Sequence, residues 1–296
     1  CIGCTMKLYQ NEDAGVSREH TCCSLDDVED ARAVAYALKM PYYVFNFSND
    51  FGKRVIDKFV FSYTNGMTPN PCIDCNRYMK FEKLFERAKL LGCDKVVTGH
   101  YARIEKAGNA FILKKAVDET KDQSYVLYCM NQEQLAHTAF PLGTLRKAEV
   151  RKIAREHHFD TADKPDSQDI CFVPDGDYTR VVELHTGKSS LEGDFVDGNG
   201  KVLGRHRGII HYTIGQRKGL GLSFPEPHYV CRMDVANNTI TLGTNAQLYQ
   251  RRLLATDFHW IAEKSPAAAV RCSAKIRYRQ AEQPAWAIPH TDGSVE

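Results

Sequence analysis

The 296 residues, 43% hydrophobic and 26% charged with a net charge of +2, have a globular make-up that excludes a disordered tail, a collagenous repeat and a small disulfide scaffold. No apolar run approaches the roughly 20 residues that a membrane helix needs. Eleven cysteines, an odd number, do not suggest an extracellular disulfide framework; the pairs Cys1/Cys4, Cys22/Cys23 and Cys72/Cys75 point to thiol or metal chemistry.

In chain order, CIGCTMKLY reads as a strand with no basic-then-apolar leader before it, so a missing N-terminal piece is expected. Ser24 is placed to cap a helix through Leu25, Val28, Ala31, Val34 and Leu38, reinforced by Asp27 and ended by Pro41. Tyr42–Phe47 has strand character and Phe51–Tyr63 helical character, and TNGMTPNPC is a loop. Lys80–Leu91 returns to helical spacing and Gly92 stops it. Lys95–Thr98 is a short strand running into Gly99. Helices alternating with short apolar strands predict an α/β fold with a parallel sheet covered on both faces. From about Lys188, FVDGNGKVLG and VCRMDVANNTITLG carry hairpin turns. Residues 248–296 read as the start of a β-rich domain, with KIRYRQ alternating like a strand, and the chain stops before that domain would close. Domains are therefore expected at 1–178, 179–247 and 248–296.

Five segments could carry chemistry. In TPNPCIDCNR two prolines stiffen a loop that ends in Cys-x-x-Cys at a helix start, where free N–H groups and the macrodipole favour a thiolate; half of a structural zinc site is the alternative. In KPDSQDICFVPDGD, Cys171 is crowded by Asp166, Asp169, Asp175 and Asp177, and could equally be a small buried residue beside Ile170 and Phe172. VTGHYAR places Gly99 at the carboxyl end of a parallel strand, where open α/β sheets bind ligands. KDQSYVLY offers a cation, an amide, a hydroxyl and aromatics, or simply a helix start. GRHRGIIHYTIGQRKGLG is a basic, glycine-rich ribbon suited to an RNA backbone, or a basic turn region. Charge follows the same direction: residues 201–296 hold 13 Lys and Arg against 7 Asp and Glu, leaving 26 against 30 in the first 200, which suits a polyanionic partner.

These segments, with FPLGTLRKAEVRKIA and KIRYRQ, closely resemble the tRNA-specific 2-thiouridylase family (the MnmA type), in the family's order and across essentially the whole chain. The resemblance implies an ATP pyrophosphatase-type, adenine nucleotide alpha hydrolase-like α/β domain, a small central domain and a C-terminal β-barrel. It implies ATP-dependent transfer of sulfur to C2 of the wobble uridine of tRNA, with Mg2+ accompanying ATP. Adenylation turns a poor carbonyl leaving group into a good one, and a persulfide then delivers sulfur. By position, Cys171 matches the family's persulfide cysteine and Cys75 its partner in a transient disulfide. Met6 and Gly99 match ATP contacts. Asn70, Pro71 and Cys72 match contacts to the target base. His100, Lys121, Asp122, Gln123, Arg277 and Tyr278 match tRNA contacts. A persulfide donor protein, a cysteine desulfurase or sulfur relay, is implied, with a cytoplasmic location and no membrane or DNA partner.

Two departures stand out. The family's Ser-Gly-Gly-x-Asp-Ser phosphate loop is absent from these residues, which predicts weak ATP binding by the chain as written, a fragment of a full enzyme. A tRNA-binding piece without catalysis is the alternative. Cys72 stands where many members carry Asp, so that Cys72, Cys75 and Cys171 offer a second route, three thiolates on a 4Fe–4S cluster.

Overall fold

Pairing of the strands separates this chain into local sheets rather than one. The computed structural model describes residues 1–9, 25–164, 170–173, 175–261 and 265–296; Ser24, Cys22, Cys23, Asp166 and Asp169 lie outside these. In chain order come β1 (Gly3–Lys7), α1 (Leu25–Ala37), β2 (Tyr42–Asn46), α2 (Ser48–Phe51), a π-helical stretch (Gly52–Ile56) and α3 (Asp57–Thr64). Next are α4 (Pro71–Asp74), a second π-helical stretch (Cys75–Lys83), α5 (Leu84–Leu90), β3 (Val96–Val97), β4 (Ala102–Ala107), β5 (Ala110–Lys115) and a 3-10 turn (Ser124–Leu127). Then follow α6 (Gln132–Ala136), β6 (Thr138–Ala139), α7 (Lys147–Glu156), α8 (Tyr178–Thr186), β7 (Gly193–Val196), β8 (Val202–His206), β9 (Tyr229–Asp234), β10 (Thr239–Gly243), β11 (Val270–Ala274) and β12 (Gln283–Ala287).

The chain divides into two compact units, each discontinuous in sequence: Cys1–Asp74 with Pro165–Gln250, and Cys75–Lys164 with Arg251–Glu296. In the first, β1 pairs in parallel with β2, Gly3 opposite Tyr42 and Lys7 opposite Asn46. The stripe Val28, Ala31 and Ala35 of α1 turns inward while Leu38, beyond the helix end, is exposed. The same unit holds a four-stranded sheet in the order β8-β7-β10-β9, with β7 and β10 parallel and the two hairpins antiparallel as the turns predict. Its core is Phe195, Ile209, Tyr212, Leu220, Val230, Ile240 and Leu242.

That core takes in the apolar residues of GRHRGIIHYTIGQRKGLG. Ile209, Ile210, Tyr212 and Leu220 are buried, and His206 is buried with Nδ1 accepting from Gly208 N and Nε2 facing the Asn238 carbonyl. All four of its Lys and Arg side chains, Arg205, Arg207, Arg217 and Lys218, face outward. Apolar spacing, not charge, decides where most of this segment goes.

In the second unit β3 and β6 form another parallel pair, β4 and β5 a hairpin, and β11 and β12 a second hairpin. Phe81, Ala102, Leu127, Met130, Leu135 and Phe140 make its core, each large side chain contributing about 1.5–3 kcal/mol by leaving water. KIRYRQ, read as a strand, is instead the turn between β11 and β12. Among the described residues no helix is long and apolar enough to cross a membrane.

Candidate functional site

The Cys-x-x-Cys segment owes its start to local chemistry. Asn70 Oδ1 accepts from Cys72 N at 3.2 Å and the Asn70 carbonyl accepts from Ile73 N, while Pro71 occupies the first helical position, where its missing N–H costs nothing. Cys72 is exposed on this first turn. Asp74 is buried and ion-paired to Lys58 Nζ at 2.6 Å. Cys75, only 9% exposed, begins the π-helical stretch one turn further in. The helix end predicted to serve both thiols therefore serves Cys72.

Cys171 lies in the first unit and is half-buried. Its carbonyl accepts from Tyr9 Oη at 2.5 Å. Phe172, 1% exposed, anchors it edge-on against Tyr9, Phe51 and Phe59 with ring centroids 6.5, 5.7 and 5.1 Å apart. Among the described residues of this segment Phe172 and Val173 are buried, and the cysteine is not. Two of the crowding carboxylates are engaged elsewhere: Asp175 pairs with Arg180 at 2.7 Å, and Asp177 caps α8, accepting from Thr179 and Arg180 N–H groups. Met6 is half-buried on β1, opposite Phe45.

Gly99 lies two residues beyond the end of β3. A Cβ there would meet nothing nearer than Leu142 Cδ1 at 3.6 Å, so the protein itself does not require glycine and the backbone is open to approach. His100 is 7% exposed between Phe81 and Phe140. Lys80 Nζ lies 3.3 Å from Nε2 and Thr98 Oγ1 2.7 Å from Nδ1. An ammonium can only donate, so Nε2 accepts and Nδ1 carries the proton toward Thr98. Burial, then the Lys80 charge, lowers the imidazole pKa to about 3, leaving it neutral.

The remaining predicted RNA contacts gather on one surface of the second unit. Gln123 pairs twice with Tyr101, N to carbonyl at 2.8 Å and Oε1 from Tyr101 N at 2.9 Å. The Asp122 carboxylate accepts from Ala116 N, Ser124 N and Ser124 Oγ. Tyr278 Oη donates to the Asp122 carbonyl at 2.9 Å, Tyr125 Oη donates to the Ile276 carbonyl at 3.2 Å, and Lys275 Nζ lies over both rings. Lys121 is half-buried and Arg277 exposed. Asp122 and Gln123 thus shape the segment that presents Lys121.

Sequence reasoning passed over Tyr9, Asn76 and Lys80. Asn76 is 1% exposed, donates through Nδ2 to the Val126 carbonyl at 3.1 Å, and its Oδ1 has no partner among the described residues. Such a group costs about 1–3 kcal/mol. An asparagine inside a helical pattern was the available signal, since that residue favours caps and turns. Among the described residues no three His, Cys, Asp or Glu side chains gather as a metal site.

Three family models cover the chain in succession: the tRNA methyl transferase HUP domain over residues 1–175, the tRNA methyl transferase PRC-barrel domain over 180–244, and the aminomethyltransferase beta-barrel domain over 250–296. Curated relatives named tRNA-specific 2-thiouridylase MnmA are similar along nearly its whole length. That of Clostridioides difficile (strain 630) is 49% identical over 96% of this chain and 79% of its own. That of Geotalea uraniireducens (strain Rf4) is 50% identical over 93% and 74%. That of Acetivibrio thermocellus is 47% identical over 99% and 83%.

Proposed function

Because the chain belongs to the tRNA-specific 2-thiouridylase family, we propose that Cys171 carries sulfur as a persulfide and that Cys75 completes its transfer to C2 of a tRNA wobble uridine. The reaction is 2-thiouridylation of tRNA, with ATP as co-substrate. The HUP model's description speaks of methyl transfer; the relatives' names speak of thiolation, and 47–50% identity over at least 93% of the chain lets the names carry the assignment. That observation supports the reading more than any other, and it disfavours a non-catalytic RNA-binding fragment.

Uridine O2 attacks the α-phosphorus of ATP and pyrophosphate leaves; Mg2+ accompanying ATP would offset the phosphate charge. The outer sulfur of the Cys171 persulfide attacks C2 and AMP departs with the oxygen. The Cys75 thiolate then attacks Cys171 Sγ, breaking its bond to the transferred sulfur and forming a Cys75–Cys171 disulfide that a thiol reductant reopens. Met6 and the open backbone at Gly99 meet ATP. Cys72, Pro71 and the amide nitrogen of Asn70, whose oxygen caps the helix, meet the base. Lys121, Asp122, Gln123, Arg277 and Tyr278 hold the tRNA, and neutral His100 acts by aligning Lys80. The donor set does not fit a 4Fe–4S cluster: Cys72 is exposed, Cys75 buried, and among the described residues no three ligands converge.

A protein persulfide, from a cysteine desulfurase or sulfur relay, supplies the sulfur in the cytoplasm. The domain reading is 1–178 for the α/β part, 179–247 for the central domain and 248–296 for the barrel; the bounds of the three family matches support it. The test follows labelled sulfur from a persulfide donor to the protein and then, with ATP, to tRNA. Label is expected on Cys171 and in thiouridine, with Cys171→Ser losing both and Cys75→Ser losing only the second. Thiouridine formed by Cys171→Ser would overturn the assignment.

A further inference from the structure

Asn76 follows Cys75 directly, and its buried amide makes one bond, from Nδ2 to the Val126 carbonyl at 3.1 Å, with Oδ1 unpartnered among the described residues. Val126 lies in the 3-10 turn that follows Lys121–Gln123. Tyr125 of the same turn reaches the Ile276 carbonyl, and Tyr278 reaches back to the Asp122 carbonyl. Polar contacts thus run without a gap from the turn carrying Cys75, through 121–127, to the loop between β11 and β12. We propose that Asn76 is a positioning residue that ties the Cys75 turn to this surface, so that RNA held by Lys121 and Arg277 sets the reactivity of the Cys75 thiol. The proposal rests on the reading of that surface as the tRNA contact.

A π-helical stretch carries wider, i to i+5 bonding, which is poorer in geometry than an α-helix and more easily shifted. Cys75 and Asn76 open that stretch. A hydrogen bond to a neighbouring segment at this point fixes the turn only as firmly as that segment is itself fixed. RNA bound across 121–123 and 277–278 immobilises the segment at both ends, and the restraint passes to Cys75 through one amide.

The experiment measures the rate at which N-ethylmaleimide labels Cys75, resolved by peptide mass spectrometry, with and without saturating unmodified tRNA. In the parent protein tRNA is expected to change that rate about fivefold or more, a typical coupling between sites. In Asn76→Asp, which keeps size but replaces the donor with a group that repels the Val126 carbonyl, tRNA affinity is expected to hold. The response of Cys75 is lost, and the thiolation kcat falls while KM for tRNA is kept. A response equal to the parent's overturns the proposal, as does a parent Cys75 rate indifferent to bound tRNA. If Asn76→Asp does not fold, Tyr125→Phe decides, since it cuts the link to Ile276 and leaves the helix untouched: a blunted response supports the proposal and a full one overturns it. Binding assays on Lys121→Ala and Arg277→Ala come first. Undiminished tRNA affinity in both would sink the RNA reading itself, a failure distinct from a normal response in Asn76→Asp.

Discussion

His100 sits between the rings of Phe81 and Phe140, where an imidazolium has no water to solvate it and faces the Lys80 ammonium. Its pKa falls from an ordinary 6.5 to about 3. Between those values the unfolded chain binds a proton that the folded chain refuses, so this residue's stabilising effect is complete above about pH 6.5 and is lost as pH falls toward 3. Near pH 4 the loss is about 3 kcal/mol. His100→Gln is therefore expected to flatten the decline of Tm from neutral to acid pH in thermal melts; an equal decline in both proteins would contradict it. The sequence marks His100 as a polar residue after a strand, but its neutrality comes from two rings and a lysine contributed by other segments. The cysteines were legible differently: Cys72, Cys75 and Cys171 stand in motifs, whereas the burial of Cys75 and the Tyr9 grip on the Cys171 carbonyl are tertiary facts.

Helix α4 begins at Pro71, within the segment read as a loop, because the Asn70 side chain accepts from Cys72 N and proline suits the first helical position. The π-helical stretch after it was not legible, since its apolar spacing passes for an ordinary helix. The basic segment 204–221 was half legible: its Lys and Arg side chains lie on the surface, while its apolar residues enter a core that the charge pattern did not show. Gly208 makes the difference testable. Its φ of +116° is one that L side chains rarely adopt, and a Cβ there would lie 1.7 Å from Ser190 Oγ. Gly208→Ala is expected to destabilise folding by about 2–3 kcal/mol in urea unfolding. A loss under about 0.5 kcal/mol, the range of ordinary surface changes, would mean the segment is not core.

Over the whole molecule, the C-terminal piece 251–296 belongs with residues 75–164 through named contacts. Arg77 holds Asp257 with both guanidinium nitrogens, Lys115 pairs with Glu282 at 2.6 Å, and His259 and Gln132 bond across to the Met130 and Ile261 carbonyls. Individually these exposed ion pairs contribute little, roughly 0–1 kcal/mol each; together they fix where the loop bearing Arg277 and Tyr278 is presented. Arg277→Ala is expected to weaken tRNA binding and to reduce the slope of log affinity against log salt by about one, with ATP affinity unchanged. An unchanged slope would remove Arg277 from the phosphate contacts.

By itself the sequence determined what depends on neighbours along the chain: the helix stop at Gly92, the Gly and Asn hairpins of residues 193–243, and the cysteine motifs that carry the family resemblance. Only the tertiary structure decided what depends on distant groups. KIRYRQ alternates like a strand yet turns, because the Ile276 carbonyl and the Tyr278 hydroxyl are taken by Tyr125 and Asp122, some 150 positions away. Likewise the parallel strands predicted for the α/β region pair as β1 with β2 and β3 with β6, each partner chosen by long-range hydrogen bonding that no local pattern encodes. Local signals act within a turn or two of helix, whereas burial, protonation and strand partner are properties of whichever segments the folded chain brings together.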